Sequence, residues 1–527
     1  METQMHLAQI PCHLRHKEMP TVKNILEWLE TIQHREPDRI LFADEECSMS
    51  RTQFLHTAQS VGTALARLGT RNTPIALLMP RGVDCLTAMM GVAYSGNFYV
   101  VLDDAMPAGR MNTILTTLHP TAMVVHRRYL EQAAALDFDG PRLCFQDAAD
   151  TVPDPETLTA IRRRMVDTDP LYALFTSGST GVPKGTVVNH RSVIAYINWF
   201  TDTFHIDQRT VFGSQTPFYF SMSVSDVFST LKTGATLHIL PKMLFSFPIK
   251  LMEFVNQRQV NTIYWVPSAL CILSNWKIFQ YAQWPSLHTV LFAGEVMPTR
   301  QLNYWISQLP GVRFANLFGP TETTDICTYY VVDRPFADYE PLPIGRACDN
   351  CDVFVVKEDG TEAGVEEEGE LYARGSFLAM GYYNNPEKTA EAFVQNPLNP
   401  HYPEIVYKTG DLVRWNQRGE LIYLTRKDFQ IKHMGYRIEL GEIEAAAGAI
   451  EQIAACCCIY NEQTDQIVLI WQGKKLADEV LMDHLKNRLP NYMLPNVLIR
   501  ISTMPYNANG KLDRKWLQSN YESLQNH

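Results

Sequence analysis

The stretch FTSGSTGVPKG at 175–185 concentrates hydroxyls at Thr176, Ser177, Ser179 and Thr180, glycines at Gly178, Gly181 and Gly185, and one lysine, Lys184. Glycine lets backbone N–H groups turn toward an anion, hydroxyls add donors and an ammonium adds charge, so the composition suits an oxyanion such as a polyphosphate. It is not a Walker loop: Lys184 follows Pro183 and precedes Gly185, where that pattern requires GK followed by Ser or Thr. Taken alone, such a loop also reads as a flexible linker.

The apolar run LYALF just before the loop reads as the end of a buried strand. PIALLMPRGVDCLTAMMGVAYSGNFYVVL then gives strand, turn, amphipathic helix and strand, a βαβ unit. TAMVVH, NTIYWV, HTVLFAGE and RFANLFG continue the rhythm, with helix-length segments between them. The fold class is α/β, with ligands expected at the strand ends. After about residue 340 hairpin-like pieces take over, with Asp359 and Gly360 supplying one turn, which predicts a β-rich subdomain. From Asp428 onward the pattern strand, helix, strand, strand, helix has the length of a small α+β module, placing the expected boundary between 1–427 and 428–527.

A chain of 527 residues, 46% of them apolar, exceeds one hydrophobic core and can build two or three. The net charge of −11 argues against a dedicated nucleic-acid binder and favours small-molecule partners. No apolar run reaches the roughly 18 residues of a membrane span, and METQMHLAQIPCHLRHKEMP lacks a secretory core, so a cytoplasmic protein is expected. The 11 cysteines, an odd number scattered through a long chain, read as reduced thiols. Cys348 and Cys351 form a lone CxxC with no second pair beside them.

NLFGPTETT at 316–324, YKTGDL at 407–412, GYRIELGEIE at 435–444 and NGKLDRK at 509–515 follow the loop in a fixed order. With it, they make the chain resemble the adenylation domains of the nonribosomal peptide synthetase type, within the ANL superfamily of adenylate-forming enzymes. The stand-alone D-alanine:carrier-protein ligases are the nearest likeness, and it runs from NILEWLETIQHREPDRI to NGKLDRK. The resemblance implies a large N-terminal domain of two α/β subdomains plus a β-rich one, and a small mobile C-terminal domain. It implies that a carboxylate attacks the α-phosphate of ATP and that a thiol then takes the acyl group. Because the protein's task in such transfers is electrostatic stabilisation and positioning, each motif acquires an expected role.

By resemblance, Thr176, Ser177, Gly178, Ser179, Thr180 and Lys184 hold the β- and γ-phosphates. Thr321 contacts the α-phosphate and Glu322 holds Mg2+. Asp411 accepts the ribose hydroxyls, a task for an acceptor-only carboxylate. Asn316 and Phe318 frame adenine, Gly294 joins the nucleotide-binding set, and Tyr423 and Arg426 lie near ribose and phosphate. Lys511 matches the lysine that bridges the substrate carboxylate and the α-phosphate, although an exposed surface lysine is the plain reading of that residue alone. Asp428 matches the hinge about which the small domain turns to present GYRIELGEIE. Thr425 stands where glycine is common, and His433 and Met434 precede Gly435, as departures from the usual pattern.

In α-amino-acid activating relatives the residue after Phe220, the aromatic gate, is an aspartate that pairs with the substrate ammonium; here it is Ser221. Losing such a desolvated pair costs on the order of 3–5 kcal/mol, so an ordinary α-amino acid is not the default substrate. The other matching pocket positions are Met222, Ser225, Ser268, Leu291, Ala293, Leu317, Asp325 and Ile326. Asp325 suits an amine farther from the carboxylate, or is a structural carboxylate bonded to backbone N–H groups or a lysine; in the second case an amine-free acid fits. Asp226 and His190 read as structural.

GYRIELGEIE resembles the branch that loads a carrier protein, and no Gly-Gly-Ser phosphopantetheine site follows NGKLDRK, which implies a separate carrier bearing the phosphopantetheine. An acyl or aryl-acid coenzyme A ligase is the alternative enzyme reading, and a non-catalytic binding homologue the alternative from another class. The intact set of Lys184, Thr321, Glu322, Asp411, Arg426 and Lys511 argues against the last, since a binding protein has no need of that charge arrangement.

Overall fold

Apolar runs too short for helices and buried on every side form the centre of two mostly parallel sheets, as the computed structural model shows for residues 22–177, 183–338, 340–427, 430–505 and 512–524. In the first, of seven strands, Pro74–Leu78, Phe98–Val101, Ala122–Val125 and Pro170–Thr176 run parallel. Lys184–Asn189 returns antiparallel to Pro170–Thr176, with Thr176 opposite Lys184, so both flanks of the hydroxyl-rich loop are pinned to one sheet.

The second sheet has nine strands, with Thr236–Ile239, Val211–Ser214, Thr262–Trp265, Thr289–Phe292 and Arg313–Phe318 side by side and parallel. Two helices at the seam position the candidate site. His190–Phe204 starts at Asn189, whose side chain accepts from the Ser192 N–H, and buries Val193, Tyr196, Ile197, Phe200 and Phe204 at helical spacing. It packs on Ser223–Thr233, which stops at Gly234 in the left-handed conformation (φ 73°).

The expected β-rich subdomain is a five-stranded antiparallel sheet built from Cys351–Val356, Glu368–Gly375, Phe393–Gln395, Ile405–Trp415 and Leu421–Arg426. Residues 430–505 and 512–524 fold around a three-stranded sheet, Ile453–Asn461, Gln466–Gly473 and Val497–Ile501, with separate apolar clusters on its two faces around Leu469 and Ile470. A hairpin, Gln430–His433 with Tyr436–Glu439, and the helix Leu440–Gly448 turn toward the large domain. Every described cysteine is a free thiol, and among the described residues no helix is long and apolar enough to cross a membrane.

Candidate active site

The segment GPTETTD doubles back after the strand Arg313–Phe318. A Cβ at Gly319 would lie 2.5 Å from the Asp325 carbonyl oxygen, so only glycine permits the approach. Thr324 sits at φ 69°, ψ −53°, and the Asp325 N–H donates to the Thr323 carbonyl at 2.8 Å, a γ-turn. For a β-branched residue this backbone costs about 1–3 kcal/mol. The Thr324 hydroxyl, donating to the Phe377 carbonyl at 2.7 Å, helps hold it. The turn sends Glu322 and Asp325 into different surroundings.

Glu322 is fully buried. Its Oε1 accepts from the Tyr382 hydroxyl at 2.7 Å and lies 3.5 Å from the Lys184 ammonium; its Oε2 accepts from Arg437 Nη1 at 2.8 Å. Burial works against its charge, but the Arg437 and Lys184 cations outweigh burial and hold the carboxyl well below the usual range. Lys184, which also donates to the Tyr382 hydroxyl at 3.2 Å, is pushed down to about 8 by burial and by Arg437. Among the described residues no cluster of three metal-ligating side chains exists. A single buried carboxylate beside Lys184 is nevertheless a donor set that fits Mg2+, which is commonly carried by one or two carboxylates and substrate phosphates.

In the β-rich sheet, Asp411 faces Arg426 across the antiparallel ladder and accepts from its Nη1 at 2.8 Å. Phe318 lies 5.9 Å from the Tyr423 ring, with the Lys432 ammonium 4.8 Å over its face. The Asn316 amide is buried and donates to the Pro343 carbonyl at 2.8 Å. Thr176 and Lys184 flank the loop on adjacent strands, Ser177 follows Thr176 directly, and Thr321 opens the turn that carries Glu322. Gly178, Ser179, Thr180, Asp428 and Lys511 lie outside the described residues. Lys427, next to Asp428, is held by Glu370 at 2.9 Å and by the Gly410 carbonyl.

Met222, Leu291, Ala293, Leu317 and Ile326 belong to one buried apolar cluster. Gly294 borders it, since a Cβ there would be 3.6 Å from the Met222 sulfur. Asp325 projects into this surrounding with Oδ2 accepting from the hydroxyls of Tyr196, Ser225 and Tyr264, each at 3.0 Å. These partners are neither backbone N–H groups nor a lysine, the structural arrangement expected as the alternative. Burial pushes the Asp325 carboxyl up to about 6, with bonds from Ser221, Ser225, Tyr264 and Tyr196 opposing. Asp226 is buried near Arg81, whose guanidinium bonds three backbone carbonyls, and His190 accepts from the Ile25 N–H, so both are structural.

The small domain closes the site with the 435–444 segment. Tyr436 meets Phe220 edge to face at 4.9 Å and stacks on Tyr492 at 3.7 Å. Glu295 accepts from the N–H groups of Ser268 (2.8 Å) and Gly435 (2.7 Å), which places Ser268 at the contact with the 435–444 segment. Gly435 has φ 80°, and a Cβ there would strike Val266 at 2.6 Å. Ser177 Oγ donates to the Arg437 carbonyl at 2.7 Å and accepts from the Glu439 N–H at 3.2 Å. Arg110 and Glu442 form a buried ion pair across the same seam.

Tyr196, Tyr264, Tyr382, Glu295, Arg110 and Arg437 were not singled out by sequence reasoning. Arg437 and Glu442 carried a signal, lying inside GYRIELGEIE; Glu295 follows Gly294 directly. The three tyrosines carried none, because a tyrosine in an apolar pattern reads as core.

Residues 29–383 match the AMP-binding enzyme family. The L-proline--[L-prolyl-carrier protein] ligase of Pseudomonas fluorescens is 31% identical over 502 residues, covering 91% of this chain and 96% of that protein. The D-alanine--D-alanyl carrier protein ligase of Lacticaseibacillus casei is 28% identical over 511 residues, covering 94% and 99%. The chain also matches gramicidin, tyrocidine and mycosubtilin synthases, of whose lengths it spans between 10% and 45%. The solved structure of the Vibrio cholerae adenylation domain AlmE, in complex with glycyl-adenosine-5'-phosphate, superposes with a TM-score of 0.80 at 22% identity, over 99% of this chain and 100% of that one.

Proposed function

The chain belongs to the AMP-binding enzyme family, and from that premise we propose that it is a ligase that activates an amino acid with ATP and passes it to the phosphopantetheine thiol of a separate carrier protein. Two relatives spanning nearly their full length are named carrier protein ligases, which supports the acceptor. In the first half, a carboxylate oxygen bonds to the α-phosphorus while the α–β bridging bond breaks and pyrophosphate leaves. In the second, the thiol sulfur bonds to the acyl carbon and AMP leaves.

Lys184 and the adjoining loop receive the β- and γ-phosphates, and Thr321 donates to the α-phosphate. Glu322 would hold the magnesium ion. When bound, the metal neutralises charge on the phosphates. Asp411 accepts the ribose hydroxyls, and Asn316, Phe318 and Tyr423 frame the base. Lys511 follows charge developing between the substrate carboxylate and the α-phosphate. Asp428 is the hinge between 1–427 and 428–527.

The observation that carries the substrate reading is the hydroxyl cage on Asp325. A buried carboxylate bonded by those three hydroxyls in otherwise apolar surroundings, with Ser221 at the usual anionic position also turned onto it, suits an amine placed beyond the α-carbon. The test is pyrophosphate exchange over a panel of α-, β- and γ-amino acids, carboxylate-bearing diamines and amine-free acids. An amine-free acid as the best substrate sinks this reading.

A further inference from the structure

The small-domain strand Tyr436–Glu439 engages the groups that the proposed function assigns to magnesium and pyrophosphate, and the inference drawn here rests on that assignment. Both Glu322 oxygens are engaged: Oε1 by Tyr382 with Lys184 close by, Oε2 by Arg437 at 2.8 Å. The same strand holds Ser177, at the start of the phosphate loop, through the Arg437 carbonyl and the Glu439 N–H. Glu322 has no exposed surface, so a divalent ion reaches Oε2 only where the guanidinium now sits. The Lys184 and Arg437 cations already share Glu322 and the nearby Glu439 carboxylate, so the counter-charge a divalent ion needs from Glu322 is taken up while the strand is docked.

We propose that Arg437 occupies the divalent cation's place on Glu322, so that metal binding and docking of the strand Tyr436–Glu439 exclude one another. Arg437 is thus a positioning residue with a second effect, since it returns a counter-charge to Glu322 once metal and pyrophosphate depart. By linkage the effect is reciprocal: a bound metal weakens docking by the factor by which docking weakens the metal.

The test uses Mn2+ as a paramagnetic stand-in for Mg2+, titrated into the full chain with and without inorganic pyrophosphate and read by electron paramagnetic resonance. Arg437→Gln is expected to bind Mn2+ at least about fivefold more tightly than wild type, the low end of ordinary coupling between sites. Arg437→Lys, which keeps a cation, stays close to wild type, and Glu322→Gln loses the site. Equal affinities for wild type and Arg437→Gln overturn the proposal. Small-angle scattering of the wild type supplies a measurement independent of any variant's folding: Mg2+ with pyrophosphate should expand the molecule, and an unchanged curve also overturns it.

Amino-acid-dependent pyrophosphate exchange on the wild type separates the two readings. Absent exchange with the Mn2+ difference intact rejects the assigned reaction and keeps the competition. Normal exchange with equal affinities does the opposite.

Discussion

Glu322 and Asp325 stand on either side of a γ-turn at Thr324 and share no hydrogen-bond partner: Tyr382 and Arg437 bond the first, Tyr196, Ser225 and Tyr264 the second. In the proposed reaction, one short turn therefore supplies both the phosphate side and the acid side. Thr324→Gly relieves a positive φ worth about 1–3 kcal/mol but loses a hydroxyl bond worth about 0.5–1.5 kcal/mol and loosens the unfolded chain. The melting temperature is expected to stay near wild type while pyrophosphate exchange falls at least about tenfold, because the two carboxylates lose their mutual placement. Unimpaired exchange in this variant would show that the turn's rigidity is irrelevant.

Asp325 predicts a pH dependence. Its carboxyl is raised to about 6 by burial, and an ammonium needs the ionised form, so kcat/KM for an amine-bearing acid should rise as pH increases through about 6 and level off above it. Asp325→Asn should abolish that rise and lower kcat/KM about a hundredfold or more. The stability effect has the opposite sign. The folded protein binds this proton more tightly than the unfolded chain, whose value is 3.8, so this group's contribution is complete below about 4 and is lost as pH climbs to about 6. A profile flat between pH 5 and 7 contradicts both assignments.

Removing the Glu322 charge leaves Arg437 and Lys184 facing each other in a largely buried site. Glu322→Gln is expected to cost about 3–5 kcal/mol of stability in the docked arrangement, and the double variant Glu322→Gln with Arg437→Gln less than the sum of the two single changes. Denaturant unfolding of the four proteins measures it. Additive effects would mean that the pair is uncoupled.

Lys511→Ala is expected to abolish adenylate formation and leave the melting temperature unchanged, because lysines rarely contribute to a packed core whereas a cation bridging carboxylate and phosphate contributes to the transition state. Thioester formation from supplied acyl-adenylate should persist. Near-normal adenylation in the variant removes Lys511 from the mechanism.

Much of this arrangement is written locally in the chain. Fully buried parallel strands such as PIALL and AMVV must be apolar throughout, so they declare themselves, as does the turn at Asp359 and Gly360. The GPTETTD segment was legible as a motif, yet its γ-turn was not, since a β-branched threonine at positive φ runs against backbone preference. Tyr196 fits the apolar stripe of its helix, and only the meeting of that helix with Ser223–Thr233 and the strand Thr262–Trp265 brings three hydroxyls onto one oxygen. Arg437 lies within a quoted motif, but its partner is 115 residues away and no local pattern encodes the pair.

In the proposed two-step reaction, Gly435 would separate the halves by the width of a methyl group. A side chain there meets Val266 in the docking seen in this structure, where the backbone stands at φ 80°, so alanine brings both a clash and backbone strain to this arrangement. Substitution at this single position would therefore act as a clutch. The enzyme would still charge its acid, hold it as the adenylate and release pyrophosphate, while delivery to the thiol idles for want of an empty space.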